Sequence, residues 1–238
     1  MSSPGTGLPA AILLDQDGTL VDSEPVWERA ERGVAASLGG VLTAEHRRHM
    51  VGAPLSETIR IIREVSPATD LPDDVLGREL VERVAGILRS DPIRWIRPAV
   101  DLLARCRESG ARSALVTSSY RLITDVVGPR IPGGVDLVVA GDDVARPKPA
   151  PDAFLEAARR LDVPISRCLV VEDSASGVSA GLASGARVVA IPNQLPIAAR
   201  PGLSRVCSAD ELDDAALRRV MSGGVVDTVP VDWSPTPA

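Results

Sequence analysis

The stretch Ala10-Ala11-Ile12-Leu13-Leu14 is apolar at every position and stops abruptly at Asp15-Gln16-Asp17-Gly18. A strand with one face in water alternates apolar and polar residues, whereas an unbroken apolar run has to be covered on both faces. Covering on both faces is the condition of a parallel strand inside a doubly covered sheet. In such sheets the carboxyl ends of the strands carry the ligand-binding groups. The step from Leu14 to Asp15 therefore predicts a buried first strand with carboxylates at its working end.

The pattern recurs. Ser113-Ala114-Leu115-Val116-Thr117 ends in hydroxyls, Val135 to Val139 is a further strand, Cys168-Leu169-Val170-Val171 ends in Glu172-Asp173, and Val188 to Ile191 follows. Helical spacing separates these runs at Ala99 to Glu108, Leu122 to Val127, Pro151 to Leu161 and Ser174 to Ala183, and Glu211 to Val220 is the last helix. Strands alternating with helices over short joins imply right-handed crossovers and an α/β fold with a Rossmann-like, mostly parallel sheet.

One segment departs from the alternation. From Pro25 to Leu38 the residues Val26, Ala30, Val34, Ala35 and Leu38 fall at helical spacing, and Gly39-Gly40 stops the run. Further helices are expected at Ala44 to Val51, Ser56 to Glu64 and Asp73 to Leu88, with no buried strand between Ser23 and Arg94. Residues 23–94 thus read as a helical cap inserted into a core of residues 10–22 and 95–221. Residues 222–238, with Gly223-Gly224 and no helical period, read as a loosely ordered tail, the alternative being that Val225-Val226 and Val229-Pro230-Val231 add an edge strand or touch a partner.

Composition narrows the functions open to such a chain. Its 238 residues suffice to bury a core, and the three cysteines have neither paired nor metal-type spacing, so a disulfide framework and a structural zinc site are both disfavoured. The formal charge of −6 and the scarcity of aromatic residues argue against nucleic acid and anionic lipid as partners. No run approaches the ~20 apolar residues of a membrane span. Met1 to Pro9 lacks the pattern of a secretory leader, and a cytoplasmic location is expected. Among 26 basic residues Lys148 is the only lysine, which reads either as chance or as a place where a compact point charge matters.

Each polar strand end also has an ordinary explanation. Asp15-Gln16-Asp17-Gly18 could be a simple turn or the start of a calcium loop, although the glycine is fourth rather than sixth and a strand precedes it. Glu172-Asp173 could complement a helix dipole, and Thr117-Ser118-Ser119 could cap a helix. Together with Lys148, however, these groups would all meet at one edge of a parallel sheet. Carboxylates placed so close stay ionised together only if a cation compensates them, and hard oxygen ligands suit Mg2+. Hydroxyls, backbone N–H groups and an ammonium could then hold phosphate oxygens.

Four motifs in this order resemble the haloacid dehalogenase-like hydrolases: Asp15 to Ser23, Val116-Thr117-Ser118-Ser119, Lys148-Pro149-Ala150-Pro151-Asp152, and Val171-Glu172-Asp173-Ser174 followed by Gly177. The insert is similar to the small helical cap of the subgroup containing beta-phosphoglucomutase and sugar phosphatases, and Ser23-Glu24-Pro25-Val26-Trp27 resembles the 2-deoxyglucose-6-phosphate or hexitol phosphatase branch. The resemblance implies a Mg2+-dependent phosphatase working through an aspartyl-phosphate. It assigns Asp15 as nucleophile, Asp17 as general acid and base, and Lys148 as the stabilising cation. Thr117 and the Ser118 backbone match phosphate-binding positions, and Trp27 and Gly52 of the insert complete the candidate substrate-binding set. The metal set is Asp15, the Asp17 carbonyl, Asp173, and Glu172 directly or through water. Gln16 departs from the apolar residue usual between the two aspartates.

A dehalogenase would need neither Asp17 nor magnesium, and a phosphonatase would need a cap lysine, which is missing. A mutase would place a histidine and an arginine where Trp27 and Leu55 stand. His46 and His49, the only histidines, read as surface residues. The expected enzyme is a monomer acting on a small phosphorylated metabolite, with no nucleic acid and no membrane.

Overall fold

Strand β1 (Ala11–Leu14) lies inside a six-stranded sheet, between β2 (Arg112–Val116) and β4 (Cys168–Glu172). The remaining strands are β3 (Leu137–Val139), β5 (Arg187–Ala190) and β6 (Leu203–Arg205), in the order β3-β2-β1-β4-β5-β6. Every neighbouring pair is parallel. The computed structural model describes residues 7–66 and 70–235. Residues 1–6 of the stretch read for a leader, and 236–238 of the expected tail, lie outside the described residues. Among the described residues no helix is long and apolar enough to cross a membrane.

All four residues of β1 are buried because both faces of the sheet are covered. Ile12 and Leu14 pack on one side with residues of α1 (Glu24–Ser37), α4 (Asp73–Ser90), α5 (Arg97–Glu108), α6 (Arg121–Val127) and α9 (Asp214–Met221). Ala11 and Leu13 face the other side, where Phe154 of α7 (Asp152–Arg160) and Val178 of α8 (Ala175–Ser184) complete the layer. After β3 the chain crosses back to the far side of β1 and enters as β4. Strand order therefore reverses between β1 and β4, and the crevice at their carboxyl ends is where such sheets bind ligands.

The helical insert comprises α1, α2 (Ala44–Met50), α3 (Leu55–Val65) and α4. It leaves and rejoins the sheet layer at adjacent points: Asp22 N–H donates to Arg94 O at 2.8 Å and Ile96 N–H to Leu20 O at 2.9 Å, with Val21 bridged to Trp95. Within it α1 packs on α3 and α4, and α4 packs on α6 of the sheet layer. The guanidinium of Arg47 on α2 is buried and pairs with both Glu24 and Glu31 of α1. Burial raises the Glu24 pKa against the pull of Arg47.

In the C-terminal region one strand is added and two expectations change. β6 has only three residues, one of them the buried Ser204, and is too short for periodicity to reveal. The last helix begins later than expected. A 3-10 turn at Ala209–Glu211 precedes it, and Asp213 caps α9 by accepting from Ala216 N–H at 2.8 Å. The tail expected to be loose runs back along β6: Arg205 N–H donates to Val226 O, Thr228 N–H donates to Arg205 O, and Asp227 pairs with the Arg205 guanidinium at 2.9 Å.

The buried Arg47 sets a test of how the insert is held. Arg47→Met should destabilise the protein by about 3–5 kcal/mol in urea unfolding, since Glu24 and Glu31 lose the cation that both pair with. Adding Glu31→Leu should recover part of the loss.

Candidate active site

Asp15 follows β1 directly, and its backbone N–H continues the ladder by donating to Val171 O at 3.0 Å. That register places its carboxylate beside Glu172 and Asp173 at the end of β4. One oxygen from each of Asp15, Glu172 and Asp173 lies within 4.8 Å of the others. Lys148 reaches the same point from the loop before α7. Its Nζ donates to Asp15 at 2.6 Å, Glu172 at 2.5 Å and the Val116 carbonyl at 2.8 Å, and its side chain is 2% exposed. The Phe154 ring lies 5.0 Å from the ammonium.

Two glycines make this approach possible. A Cβ on Gly177, in the first turn of α8, would overlap the Glu172 carboxylate, and one on Gly18 would overlap Asp173. Gly18 also has φ +82, open to glycine with little strain. Its carbonyl accepts from Asn193 Nδ2 at 2.7 Å, which ties the loop after β1 to the loop after β5. Glu172 is fully buried and its second oxygen accepts from Ser174 Oγ at 3.0 Å.

Electrostatically the cluster carries a surplus of negative charge. Burial raises the Asp15 pKa to about 8; Lys148 opposes that shift, and Glu172 and Asp17 add to it. Burial likewise pushes Asp173 well above the carboxylate range, reinforced by Asp15 and Glu172. Burial disfavours the charge on Lys148, but Asp15 and Glu172 outweigh it and hold the ammonium's pKa above its ordinary value. Lys148 is thus a fixed cation.

The Asp17 carboxylate sits apart from this cluster, turned toward the insert. Its Oδ1 accepts from the Trp27 indole N–H at 3.3 Å, and its Oδ2 accepts from Ser119 Oγ at 2.6 Å and Gln16 Nε2 at 3.1 Å. Thr117 is buried at the end of β2, and its Oγ1 accepts from Ser119 N–H at 3.0 Å, so its own proton remains to be donated. Ser118 is exposed, with its carbonyl pressed against Gly141.

The structure therefore brings Asp15, Lys148, Glu172 and Asp173 together, and sets Asp17 with Trp27 nearby. Gly52 stands in the turn between α2 and α3 with φ +67, next to Leu195 of the loop after β5. His46 accepts from Thr43 N–H in a helix cap and His49 is exposed. The sequence gives Ser119 no specific role and Asn193 no place in the site. Ser119 lay in the hydroxyl run that ends β2, but nothing in the sequence tied Asn193 to Gly18.

Fold and site together define an α/β enzyme with strand-end carboxylates gathered around a buried ammonium. The chain belongs to the haloacid dehalogenase-like hydrolases, whose family model matches residues 9–185. Protein CbbY of Rhodobacter capsulatus is 30% identical over 195 residues, covering 77% of this chain and 86% of that protein. Hexitol phosphatase B of Escherichia coli K12 is 30% identical over 197 residues, covering 81% and 86%. The crystal structure of CbbY from Rhodobacter sphaeroides in complex with phosphate superposes with a TM-score of 0.77 at 29% identity, covering 88% of this chain and 99% of that one.

The raised Asp15 pKa predicts a pH dependence of stability in chelator-treated protein. Between about pH 4 and pH 8 the unfolded chain has released a proton that the folded chain retains, so stability should fall as pH rises through this window. Asp15→Asn should flatten that part of the slope, measured by urea unfolding at intervals of pH.

Proposed function

We propose that this protein is a magnesium-dependent phosphatase that hydrolyses small sugar or polyol phosphates through an aspartyl-phosphate on Asp15. The observation that carries this reading is the meeting of Asp15, Lys148, Glu172 and Asp173 at the strand-order reversal, with Asp17 two residues from the nucleophile. Phosphoric monoester hydrolysis is also what the name of hexitol phosphatase B states.

The residues present fit a magnesium ion. Buried Asp15 and Glu172 and the partly buried Asp173 face one ammonium, and burial, reinforced by the neighbouring carboxylates, raises the proton affinity of Asp15 and Asp173, which a bound cation would offset. Oxygen donors are the set a hard divalent cation takes. Asp15, Asp173, the Asp17 carbonyl and Glu172, directly or through water, would hold it. When bound, the ion would ionise Asp15 and screen it from an incoming phosphate dianion.

The chain's own groups then divide the work. A carboxylate oxygen of Asp15 attacks phosphorus in line as the bond to the ester oxygen breaks. Asp17 gives that oxygen a proton, so it departs as an alcohol. In the second half Asp17 takes a proton from water as the water oxygen bonds to phosphorus, and the phosphorus–Asp15 bond breaks to return the carboxylate. Lys148 holds Asp15 in place, and the Thr117 hydroxyl is a donor for a phosphoryl oxygen. The helical insert over this edge favours compact substrates and excludes bulk water. The acidic surface fits a small-metabolite partner better than nucleic acid or membrane, and the enzyme acts as a cytoplasmic monomer.

Purified protein with magnesium should release phosphate from hexitol or hexose phosphates. EDTA should stop the release and Mg2+ restore it. Asp15→Asn should lower turnover by at least about 10³-fold with its circular dichroism unchanged. Lack of phosphate release from any small monoester would overturn the phosphatase reading, and conversion of beta-glucose 1-phosphate to glucose 6-phosphate without release would replace it by a mutase. Mg2+ should also raise the melting temperature more at pH 8 than at pH 5, because at pH 5 the ion has to displace the Asp15 proton.

A further inference from the structure

Gln16 presents an unusual account of itself. It is 1% exposed, yet its Oε1 has no hydrogen-bond partner among the described residues. An unpaired buried acceptor is destabilising, and an apolar side chain of similar length would avoid that loss. The other end of the same amide donates to Asp17 Oδ2, which Ser119 Oγ also reaches.

From this arrangement we infer that Gln16 and Ser119 are positioning residues: they clamp Oδ2 of Asp17 and leave Oδ1 as the oxygen that exchanges protons with the substrate. The inference rests on the phosphatase reading above and assigns a division of labour within its acid.

The geometry supports the division. Oδ2 has two donors, at 2.6 Å and 3.1 Å, from the loops that end β2 and β1. Among the described residues Oδ1 has a single longer hydrogen bond, 3.3 Å from Trp27, and Trp27 belongs to the insert. A leaving group held beneath the insert would meet Oδ1. Ser119 is itself held in place: its N–H donates to Thr117 Oγ1 and its carbonyl accepts from Gly141 N–H at 2.8 Å. One short loop therefore orients both the Thr117 hydroxyl and the Asp17 carboxylate. In the first half-reaction the Oδ1–H bond breaks as the leaving oxygen, carrying the electron pair of its bond to phosphorus, takes the proton. A clamped Oδ2 keeps that proton on the line of the leaving oxygen, a requirement on orientation that effective catalysis imposes.

The test compares two leaving groups. An alkoxide needs a proton to depart, whereas p-nitrophenolate needs little help. Gln16→Met and Ser119→Ala should each lower kcat for a hexitol phosphate about tenfold, with less than about a threefold loss for p-nitrophenyl phosphate and little change in KM. Gln16→Met should at the same time raise the melting temperature by roughly 2 °C or more, because it removes the unpaired acceptor. Should Ser119→Ala fail to fold, Gln16→Met carries the test alone. Equal losses on the two esters, or a wild-type ratio in Gln16→Met, would overturn the clamp. Phosphate release by the wild type decides the phosphatase reading separately, since the clamp is judged only by the ratio between esters.

Discussion

The ammonium of Lys148, enclosed between Asp15 and Glu172, is the interaction around which the sheet edge is arranged. An ammonium has three donors, and here they meet three acceptors: two carboxylates and the Val116 carbonyl. A guanidinium offers a planar fork and could not point at three strand ends from one nitrogen, which accounts for a lysine in a chain that otherwise uses arginine. The contact requires β1 and β4 to be neighbours and α7 to bring Phe154 beneath the charge. It also requires glycine at position 177, where a side chain would occupy the space of Glu172.

One cation does not balance three carboxylates in a buried crevice, and the site is poised by that imbalance. Removing charged groups from water is costly, and the raised proton affinities of Asp15 and Asp173 are how the protein without an added cation meets that cost. The stabilising parts of the fold lie elsewhere, in the apolar layers on the two faces of β1. A stable scaffold thus carries an edge that is less than optimal for stability.

Much of this was legible in the sequence because the signals were abrupt. Leu14 to Asp15 and Val171 to Glu172 are changes from fully buried to charged within one residue, and they mark strand ends more sharply than periodicity marks strand starts. The lone lysine stood out by its type. What escaped was set by three-dimensional adjacency. Ser119 meets Asp17 across 102 positions of sequence and Asn193 meets Gly18 across 175, and neither spacing has a pattern. β6 escaped because it is held by β5 and by the returning tail rather than by its own composition. Trp27 packs its ring against the core cluster and turns its indole N–H to Asp17, a double role that the helical spacing of α1 alone does not reveal.

The paired segments at 20–22 and 94–96 have a consequence for how such a chain can diversify. The polypeptide departs and returns side by side, so the insert is closed at its base by a short stem, while α4 also rests on α6 of the sheet layer. Loop-closure entropy grows slowly with length, so closing the stem constrains the length of the inserted chain only weakly. Change in the insert is therefore limited by the face that α4 keeps against α6, whereas the stem imposes little on the length of chain it closes.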